Sequence, residues 1–249
     1  KSKHATNHKK KQKKLTIEDL KPSSRKYPYV DFKFEQAIGK EILKVENLTK
    51  KGMFKNLSFN VEPNQKIVFL SSNSLVLTTL FNILMGKEEA DSGTVQFGKT
   101  IKPSYLPQDN REYFDNCHLS IVDWLRQYSK DKTESYVRGW LGRMLFSGEE
   151  SLKEVNVLSG GEKVRCMLAK LMLEGGNLLI LDEPVNHLDL ESITSLNKGM
   201  INFKGPILFA TGDQEIIETV ANRIIDIVDE NTIVDKEMSY EEYMEKYKS

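Results

Sequence analysis

The sequence predicts an α/β protein with a parallel sheet at its centre, and three patterns carry that prediction. Residues 178–181 are four consecutive apolar side chains, as expected of a strand that is covered on both faces. Residues 160–174 have helical apolar spacing and lie just before that strand. Residues 41–48 and 54–61 alternate between apolar and polar side chains, which predicts two strands of a separate antiparallel layer.

The remaining elements are predicted in order along the chain. Strands are expected at 66–70, 93–98 and 101–106, and residues 110–154 have a helical pattern. A helix at 193–200, strands at 206–210 and 223–228, and a terminal helix at 240–247 complete the set. We expect the apolar residues of the first helical region and the tyrosines of the last helix to pack on the core: Ile121, Trp124, Leu125, Trp140, Leu141, Met144, Leu145, Tyr240, Tyr243 and Tyr247.

Composition bounds the class of protein. The 249 residues fit one large domain or two small ones, and 36 basic residues balance 36 acidic ones. The balance is uneven, because residues 1–34 carry 11 positive and 3 negative charges, a net charge of +8, and the remainder carries −8. Two cysteines far apart in sequence predict neither a disulfide framework nor a zinc site, which fits a cytoplasmic location. No apolar run approaches membrane-spanning length, so we expect no membrane partner; the missing initiator Met suggests a fragment.

The first residues are strongly basic. Residues 1–14 contain seven lysines and no acid, and two interpretations are open. They form either a solvated tail or an arm that binds a polyanion, in which lysines release counterions from phosphates. The candidate RNA-binding residues are Lys9, Lys10, Lys11, Lys13 and Lys14. Residues 21–32 contain two prolines and are predicted to be an extended linker.

Residues 157–162 predict a capped helix start. Ser159 and Glu162 form an S-x-x-E capping box, and the Gly175-Gly176 pair predicts the end of the helix. Gly160 and Gly161 carry no side chain, so the N–H groups and the positive dipole end of the helix can approach an anion closely.

An acidic pair follows the buried strand. Asp182 and Glu183 are expected at its carboxyl end, followed by Pro184. Such a pair suits Mg-nucleotide hydrolysis, in which the first carboxylate holds the metal shell and the second polarises the attacking water. Alone, the same residues are equally consistent with a simple turn.

The ordered set of these motifs resembles the ATP-binding cassette (ABC) family. Leu158–Glu162 is similar to its signature, Leu178–Glu183 to its Walker B motif and Leu188-Asp189 to its D-loop, and E-P-V-N-H-L-D-L-E-S resembles the ABC-F branch. The resemblance implies a cassette fold: a parallel-sheet core of the P-loop type, an antiparallel β layer and a helical subdomain. It implies ATP and Mg as cofactors, Glu183 as general base and Asp182 as a metal ligand. Gln108 is similar to the Q-loop glutamine, which touches Mg and the attacking water.

The phosphate-binding segment departs from the family pattern. After the strand at 66–70 the family motif G-x-x-x-x-G-K-[ST] is expected, but Val76 and Leu77 stand at the second glycine and the lysine. A missing lysine removes a charge-assisted contact of about 1.5 to 3 kcal/mol, and a β-branched residue in a glycine position adds strain. The residues left to contact nucleotide are Ser71, Asn73, Ser74, Thr78 and Thr79, and the Thr78 hydroxyl could also bind Mg.

Two further family features are missing. No aromatic residue lies in the turn at 49–53 to stack on adenine, and Gly212 stands where the family has its switch histidine. Family cassettes pair head to tail, so Ser159, Gly160, Gly161 and Glu162, with Asp189 of the D-loop, are expected to contact ATP held by a partner.

These observations predict the second cassette of an ABC-F protein acting on the ribosome in translation. Expected parts are a basic inter-cassette linker remnant at 1–38, the cassette at 39–235 with a helical subdomain near 110–158, and a C-terminal helix at 236–249. Expected partners are the first cassette of the same protein and ribosomal and transfer RNA, and a homodimer is possible. ATP hydrolysis by the chain's own site is left open. The alternatives are the nucleotide-binding subunit of a membrane transporter and a structural cassette that binds no nucleotide.

Overall fold

The computed structural model describes residues 27–248, so the candidate RNA-binding lysines at 9–14 lie outside the described residues. The predicted α/β architecture is confirmed. A mixed six-stranded sheet has the order β5-β6-β7-β3-β8-β9, and a separate antiparallel sheet has the order β2-β1-β4. The strands are β1 Leu43–Lys50, β2 Phe54–Val61, β3 Lys66–Ser71, β4 Ser92–Phe97, β5 Pro103–Leu106, β6 Leu178–Asp182, β7 Ile207–Ala210, β8 Arg223–Asp229 and β9 Thr232–Lys236.

Helices cover both faces of the main sheet, as a parallel sheet requires. Their bounds are α1 Ser74–Leu84, α2 Arg111–Phe114, α3 Ile121–Arg126, α4 Glu134–Arg143, α5 Gly160–Glu174, α6 Leu190–Asn202, α7 Gln214–Val220 and α8 Tyr240–Tyr243. Short 3₁₀ turns at Gly148–Leu152 and Val155–Val157 precede α5, and a π-helical turn at Met244–Lys248 follows α8.

Two apolar cores lie on opposite faces of the main sheet, and β6 shows the division most clearly. Leu178 and Ile180 belong to the core shared with α1 and the antiparallel sheet, whereas Leu179 and Leu181 belong to the core shared with the helical region. All five residues of β6 are buried. Strands β5, β6, β7, β3 and β8 run parallel, so their carboxyl ends meet at one edge of the sheet.

The cap prediction for α5 is confirmed in detail. The Glu162 N–H donates to the Ser159 hydroxyl at 3.2 Å, and the Ser159 N–H donates to the Glu162 carboxylate at 3.1 Å. The helix starts at Gly160 and ends at Gly175, which has the left-handed φ of +64°.

The packing predictions for the helical region are confirmed for its two tryptophans, whereas two elements were missed. Trp124 is buried, and Trp140 is partly buried and packs against the same core. Elements α7 and β9 were not predicted, whereas the terminal helix begins at Tyr240, as predicted, within the broader segment 236–249. In that helix Tyr243 is fully buried, whereas Tyr247 is 46% exposed and stacks on it.

The described part of the predicted linker packs against the domain. Val30 and Phe32 are buried in the larger core, and the rings of Phe32 and Phe34 contact Phe203 edge-on. The backbone N–H of Tyr29 also donates to the carbonyl of Arg143 at 2.7 Å. Residues 28–34 are therefore extended, but they form part of the folded domain.

Candidate functional site

Three predicted metal ligands meet at the carboxyl edge of the main sheet. The Thr78 hydroxyl, on the first turns of α1, donates to Oδ2 of Asp182 at 2.6 Å and lies 3.2 Å from Oε1 of Gln108. Strands β5 and β6 are neighbours, so Gln108, which follows β5, and Asp182, the last residue of β6, both reach the Thr78 hydroxyl. Hydroxyl, amide and carboxylate oxygens are hard ligands that fit Mg²⁺, which is usually bound by one or two carboxylates together with phosphates.

The electrostatics of Asp182 follow from its burial. Its side chain is almost fully buried, and this burial raises its pKa to about 6. The hydrogen bond from Thr78 acts in the opposite direction, and the negative charge of Glu183 adds to the rise. A divalent cation at this point would favour the charged form of Asp182.

Glu183, the predicted general base, is held by the backbone of β7 and the residues after it. Its own N–H donates to the carbonyl of Ala210 at 2.7 Å, and its carboxylate accepts from the Gly212 N–H at 3.0 Å. Gly212 thus contacts Glu183 directly, a relationship the sequence did not indicate. Glu183 has a φ of +47°, a left-handed backbone conformation that costs a non-glycine residue on the order of 1 kcal/mol.

The phosphate-binding segment has ordinary backbone geometry. Helix α1 starts at Ser74, and no residue from 71 to 79 has a positive φ, so the expected strain at Val76 is not found. Val76 and Leu77 are each 6% exposed and pack into the core beside the antiparallel sheet. The helix start is capped internally, because the Asn73 side chain accepts from the Leu75 N–H at 3.1 Å and the Ser71 hydroxyl accepts from the Asn73 N–H at 3.2 Å.

The other predicted contacts around this segment lie at different depths. Thr79 is 4% exposed and belongs to the buried side of α1, so it is not brought together with Thr78 and Asp182. Ser74 is exposed at the helix start. Phe54 is fully buried in β2, in agreement with the prediction that no aromatic residue is presented from the turn at 49–53.

The signature residues form a second group. The α5 start contacts the loop after β6, since a Cβ atom built on Gly160 would lie 2.8 Å from the His187 ring and one built on Gly161 would lie 2.6 Å from the His187 carbonyl oxygen. Both glycines are therefore required by packing within the chain. Sequence reasoning missed His187, although its position in the Asn186–Asp189 run was a signal.

Two carboxylates of this second group accept hydrogen bonds at helix starts, and these contacts lower their pKa values. Burial alone would raise the pKa of Glu162, but the Ser159 N–H and hydroxyl and the nearby Lys153 lower it. Asp189 caps α6 by accepting from the Ser192 N–H at 2.9 Å, and this contact lowers its pKa. Asp189 thus has a structural partner in addition to its predicted D-loop role.

A polar cleft of about 600 Å³ adjoins the metal-ligand group and shares Thr78 and Gln108 with it. Two cations lie in its walls, and both have acidic partners: Lys87 pairs with Glu112, and Arg111 pairs with Asp109. Tyr105 donates to the Asn82 side chain at 3.0 Å at its base.

Within residues 27–248, no group of three or more His, Cys, Asp and Glu side chains is arranged to hold a metal ion by itself. Nor is any helix in this part of the chain long and apolar enough to cross a membrane.

Comparison with known proteins places this geometry in a family. The sequence profile described as "ABC transporter" matches residues 54–186, which include β2, the phosphate-binding segment, the signature and the acidic pair. The chain is 57% identical over 98% of its length to "Uncharacterized ABC transporter ATP-binding protein YkpA" of Bacillus subtilis, of which it covers 46%.

Two further relatives have more specific names. The chain is 34% identical over 85% of its length to "Energy-dependent translational throttle protein EttA" of Escherichia coli, of which it covers 39%. It is 30% identical over 97% of its length to "ABC transporter F family member 5" of Arabidopsis thaliana, of which it covers 36%. The chain thus spans less than half the length of these relatives.

Among solved structures, a dimeric bacterial ABC transporter cassette, MJ0796, superposes on 79% of the chain with a TM-score of 0.66 and 15% identity. That identity supports the fold alone. Together with the profile match across residues 54–186, it shows that the chain contains an ATP-binding cassette and belongs to the ABC transporter family.

Proposed function

We propose that this chain is the second cassette of an ABC-F type ATPase that acts on the ribosome in translation, and that it donates its signature motif to ATP held by a partner cassette. In this proposal its own site binds ATP weakly and hydrolyses it slowly or not at all. The observation that carries the proposal is a contrast within one chain: the signature helix has a complete capping box, whereas Leu77 is buried where the family has a phosphate-binding lysine.

The own-site part of the proposal follows from the phosphate-binding segment. Leu77 offers no positive charge, and the N–H groups of Leu75 and Val76 already donate to Asn73, so the segment lacks the cation and has two fewer donors to offer phosphates. Losing one charge-assisted contact alone corresponds to roughly a 10- to 150-fold weaker affinity. Thr78, Gln108 and Asp182 still fit Mg²⁺, so a bound nucleotide would require the phosphates to be held by other groups.

The proposal that the chain contacts ATP held by a partner cassette follows from the signature. Ser159, Gly160 and Gly161 lie at the start of a helix of 15 residues, where the dipole and the N–H groups favour an anion. The name of EttA supports the translational role, and that of F family member 5 supports the ABC-F assignment; with this role we propose a cytoplasmic location. We propose the first cassette of the same longer protein as the partner, a homodimer being the alternative for the chain alone.

Equilibrium binding of Mg-ATP to the chain tests the own-site proposal. The native chain is compared with a variant carrying Val76→Gly and Leu77→Lys, which restores the family motif at two positions. We expect only the variant to bind in the micromolar range. Because both side chains are buried, the variant must first be shown to be folded by circular dichroism. Micromolar binding by the native chain contradicts the proposal without any reference to the variant.

Turnover by the longer protein tests the signature proposal. Ser159→Arg places a bulky cation at the α5 start, and we expect it to abolish most ATP hydrolysis at the partner's site. Ser135→Arg, on exposed α4, is the matched control and should leave turnover unchanged. Unchanged turnover in Ser159→Arg would favour the structural-cassette alternative.

A transporter subunit is the second candidate, because the matching profile and the YkpA name both refer to ABC transporters. The two candidates differ in where the longer protein sediments in cell extracts. If the protein co-sediments with ribosomes and ATP changes the amount that does so, the translational proposal is supported. Co-sedimentation with a membrane complex supports the transporter.

A further inference from the structure

One face of α4 carries a cluster of aromatic residues and an arginine, of which Tyr136 is exposed and Trp140 and Arg143 are partly buried. Tyr136, Trp140 and Arg143 are spaced at i, i+4 and i+7, so they share one face of the helix, while Val137 and Leu141 on the other face are fully buried. Gly139 lies between them, and a Cβ atom built there would touch nothing within 4 Å. The cluster is therefore bordered by open surface.

The side chains of this cluster make cation–π and edge-on aromatic contacts with one another. The Arg143 guanidinium lies 4.1 Å from the centre of the Trp140 ring and 5.7 Å from that of Tyr29. The Tyr136 ring meets Trp140 edge-on, with 6.3 Å between ring centres. Tyr136 and Tyr29 are 41% and 38% exposed. We call these four residues, Tyr29, Tyr136, Trp140 and Arg143, the aromatic face.

The aromatic face contains the Arg143 guanidinium and is bordered by the ion pair of Asp31 and Lys33. Within residues 27–248 the partly buried Arg143 side chain contacts the rings of Trp140 and Tyr29 and makes no ion pair or hydrogen bond, so no acid of this part of the chain neutralises it. The Asp31 carboxylate borders the face, because it accepts from the Tyr29 hydroxyl at 3.2 Å, and it is paired with Lys33 at 3.2 Å. The chain also enters the domain at this point, because Tyr29 is tied to Arg143 through the backbone, and residues 1–26 just before it carry 10 positive and 2 negative charges.

We propose that the aromatic face binds single-stranded RNA, with unpaired bases stacked on Tyr136 and Trp140 and a backbone phosphate held by Arg143. Aromatic rings that are exposed or partly exposed, beside a guanidinium without an ion pair, are groups that bind unpaired bases and phosphates together. The lysine-rich segment would add non-specific attraction to the backbone. This inference deepens the proposed function on the ribosome by assigning the contact surface and the RNA class.

The test measures binding of a fluorescein-labelled oligouridine of about 12 nucleotides, within the span that such surfaces cover, by anisotropy at several salt concentrations. Tyr136→Ala and Trp140→Leu should each weaken affinity about tenfold without changing the salt slope, and Trp140→Phe should retain most of it. Arg143→Gln should weaken binding and reduce the salt slope by about 1. The matched control is Tyr247→Ala, an exposed aromatic residue on the C-terminal segment, which should bind as the native chain does.

Tryptophan fluorescence gives a second measurement. Trp124 is 1% exposed, so quenching on RNA addition would report Trp140. The inference is overturned if the native chain does not bind the RNA, or if Tyr136→Ala and Trp140→Leu bind it as tightly as the native chain. It is also overturned if those variants still bind the RNA but no longer bind ribosomal protein from which RNA has been removed. That result would assign the face to a protein partner.

The outcomes are independent of the proposed ATP chemistry. Tyr136→Ala should leave the ATP turnover of the longer protein without ribosomes unchanged, and Ser159→Arg should leave oligouridine binding unchanged. Failure of the RNA inference and failure of the signature proposal therefore appear in different measurements.

Discussion

The Thr78 hydroxyl donates to Oδ2 of Asp182 across 2.6 Å, and this contact joins the start of α1 to the end of β6 at the carboxyl edge of the sheet. It brings together two residues that are 104 positions apart in the chain. Burial of the Asp182 carboxyl group makes the stability of the domain depend on pH, and the contact with Thr78 opposes part of this effect.

The first prediction concerns Asp182→Asn. Burial raises the pKa of Asp182 to about 6 in the folded chain from its ordinary value of 3.8. The folded state therefore binds the proton more tightly than the unfolded state, so the stabilisation is fully present below about pH 4 and is lost as the pH rises through 6. Asn cannot ionise, so we expect Asp182→Asn to raise the free energy of unfolding by about 1 to 3 kcal/mol at pH 7 and to change it little near pH 4.

Urea unfolding in the absence of Mg²⁺ at about pH 4 and about pH 7 provides the measurement. Asp115→Asn, at an exposed carboxylate, is the control and should show no comparable pH dependence. A difference between Asp182→Asn and the native chain that stays constant with pH would show that burial does not perturb this group.

The second prediction compares two leucines in the first turn of α1. Leu77 is 6% exposed and Leu75 is 54% exposed, so the same substitution by Lys has a different cost at each position. Leu77→Lys removes buried apolar surface and brings a charge toward the core, which should lower the free energy of unfolding by about 2 to 4 kcal/mol. Leu75→Lys should lower it by about 0.5 kcal/mol, the effect of a cation near a helix N-terminus.

Thermal and urea unfolding of the two variants gives this comparison directly. Adding Mg-ATP to Leu77→Lys should recover part of the loss if the new lysine reaches bound phosphates, because ligand binding to the folded state stabilises it. Equal losses at the two positions would mean that Leu77 is not packed as described.

The successes and failures of sequence reasoning have local causes. The start and end of α5 were predictable because the Ser159–Glu162 box and Gly175 satisfy their own backbone groups within a few residues. The meeting of Thr78, Gln108 and Asp182 followed from family resemblance and from the common edge of parallel strands. The contacts of His187 with Gly160 and of Gly212 with Glu183 depend on how loops pack, and periodicity carries no information about that.

Helix α7 and strand β9 were missed for a different reason. The Asp213 cap and the apolar residues Ile216, Ile217 and Val220 were a readable helix signal, but α7 has only seven residues. Strand β9 has five residues and pairs antiparallel with β8 through a tight turn. Trp140 packs against the larger core, as predicted, but remains only partly buried.

The third prediction separates the structural from the functional role of Ser159. Ser159→Ala removes the cap and should cost about 1 kcal/mol of stability, whereas Ser159→Asp keeps a cap acceptor and should be nearly neutral. Under the signature proposal both variants should lower ATP turnover by the longer protein, and Ser159→Asp should lower it more, because its charge repels phosphate. Unfolding and steady-state turnover are measured on the same samples. Turnover that follows stability alone would indicate that the serine is only a cap.

The fourth prediction concerns the two signature glycines, which meet His187 in different ways. A Cβ atom on Gly160 would meet the His187 ring at 2.8 Å, and one on Gly161 would meet the His187 carbonyl oxygen at 2.6 Å. An exposed ring can move aside, but a backbone carbonyl moves only with its loop, which is held by the contact of Leu188 N–H with the Val185 carbonyl at 3.0 Å. We therefore expect Gly160→Ala to cost about 1 kcal/mol and Gly161→Ala about 2 to 3 kcal/mol.

Double variants with His187→Ala distinguish the two mechanisms. Truncating the ring should relieve most of the cost of Gly160→Ala, and it should leave the cost of Gly161→Ala unchanged because the carbonyl is still present. Gly139→Ala, where nothing lies within 4 Å, is the control and should be stabilising by about 0.5 to 1 kcal/mol through helix propensity. If His187→Ala relieves both glycine variants equally, the loop itself moves with the ring. In that case the signature start and the D-loop shift together, so His187 couples the position of one to the other.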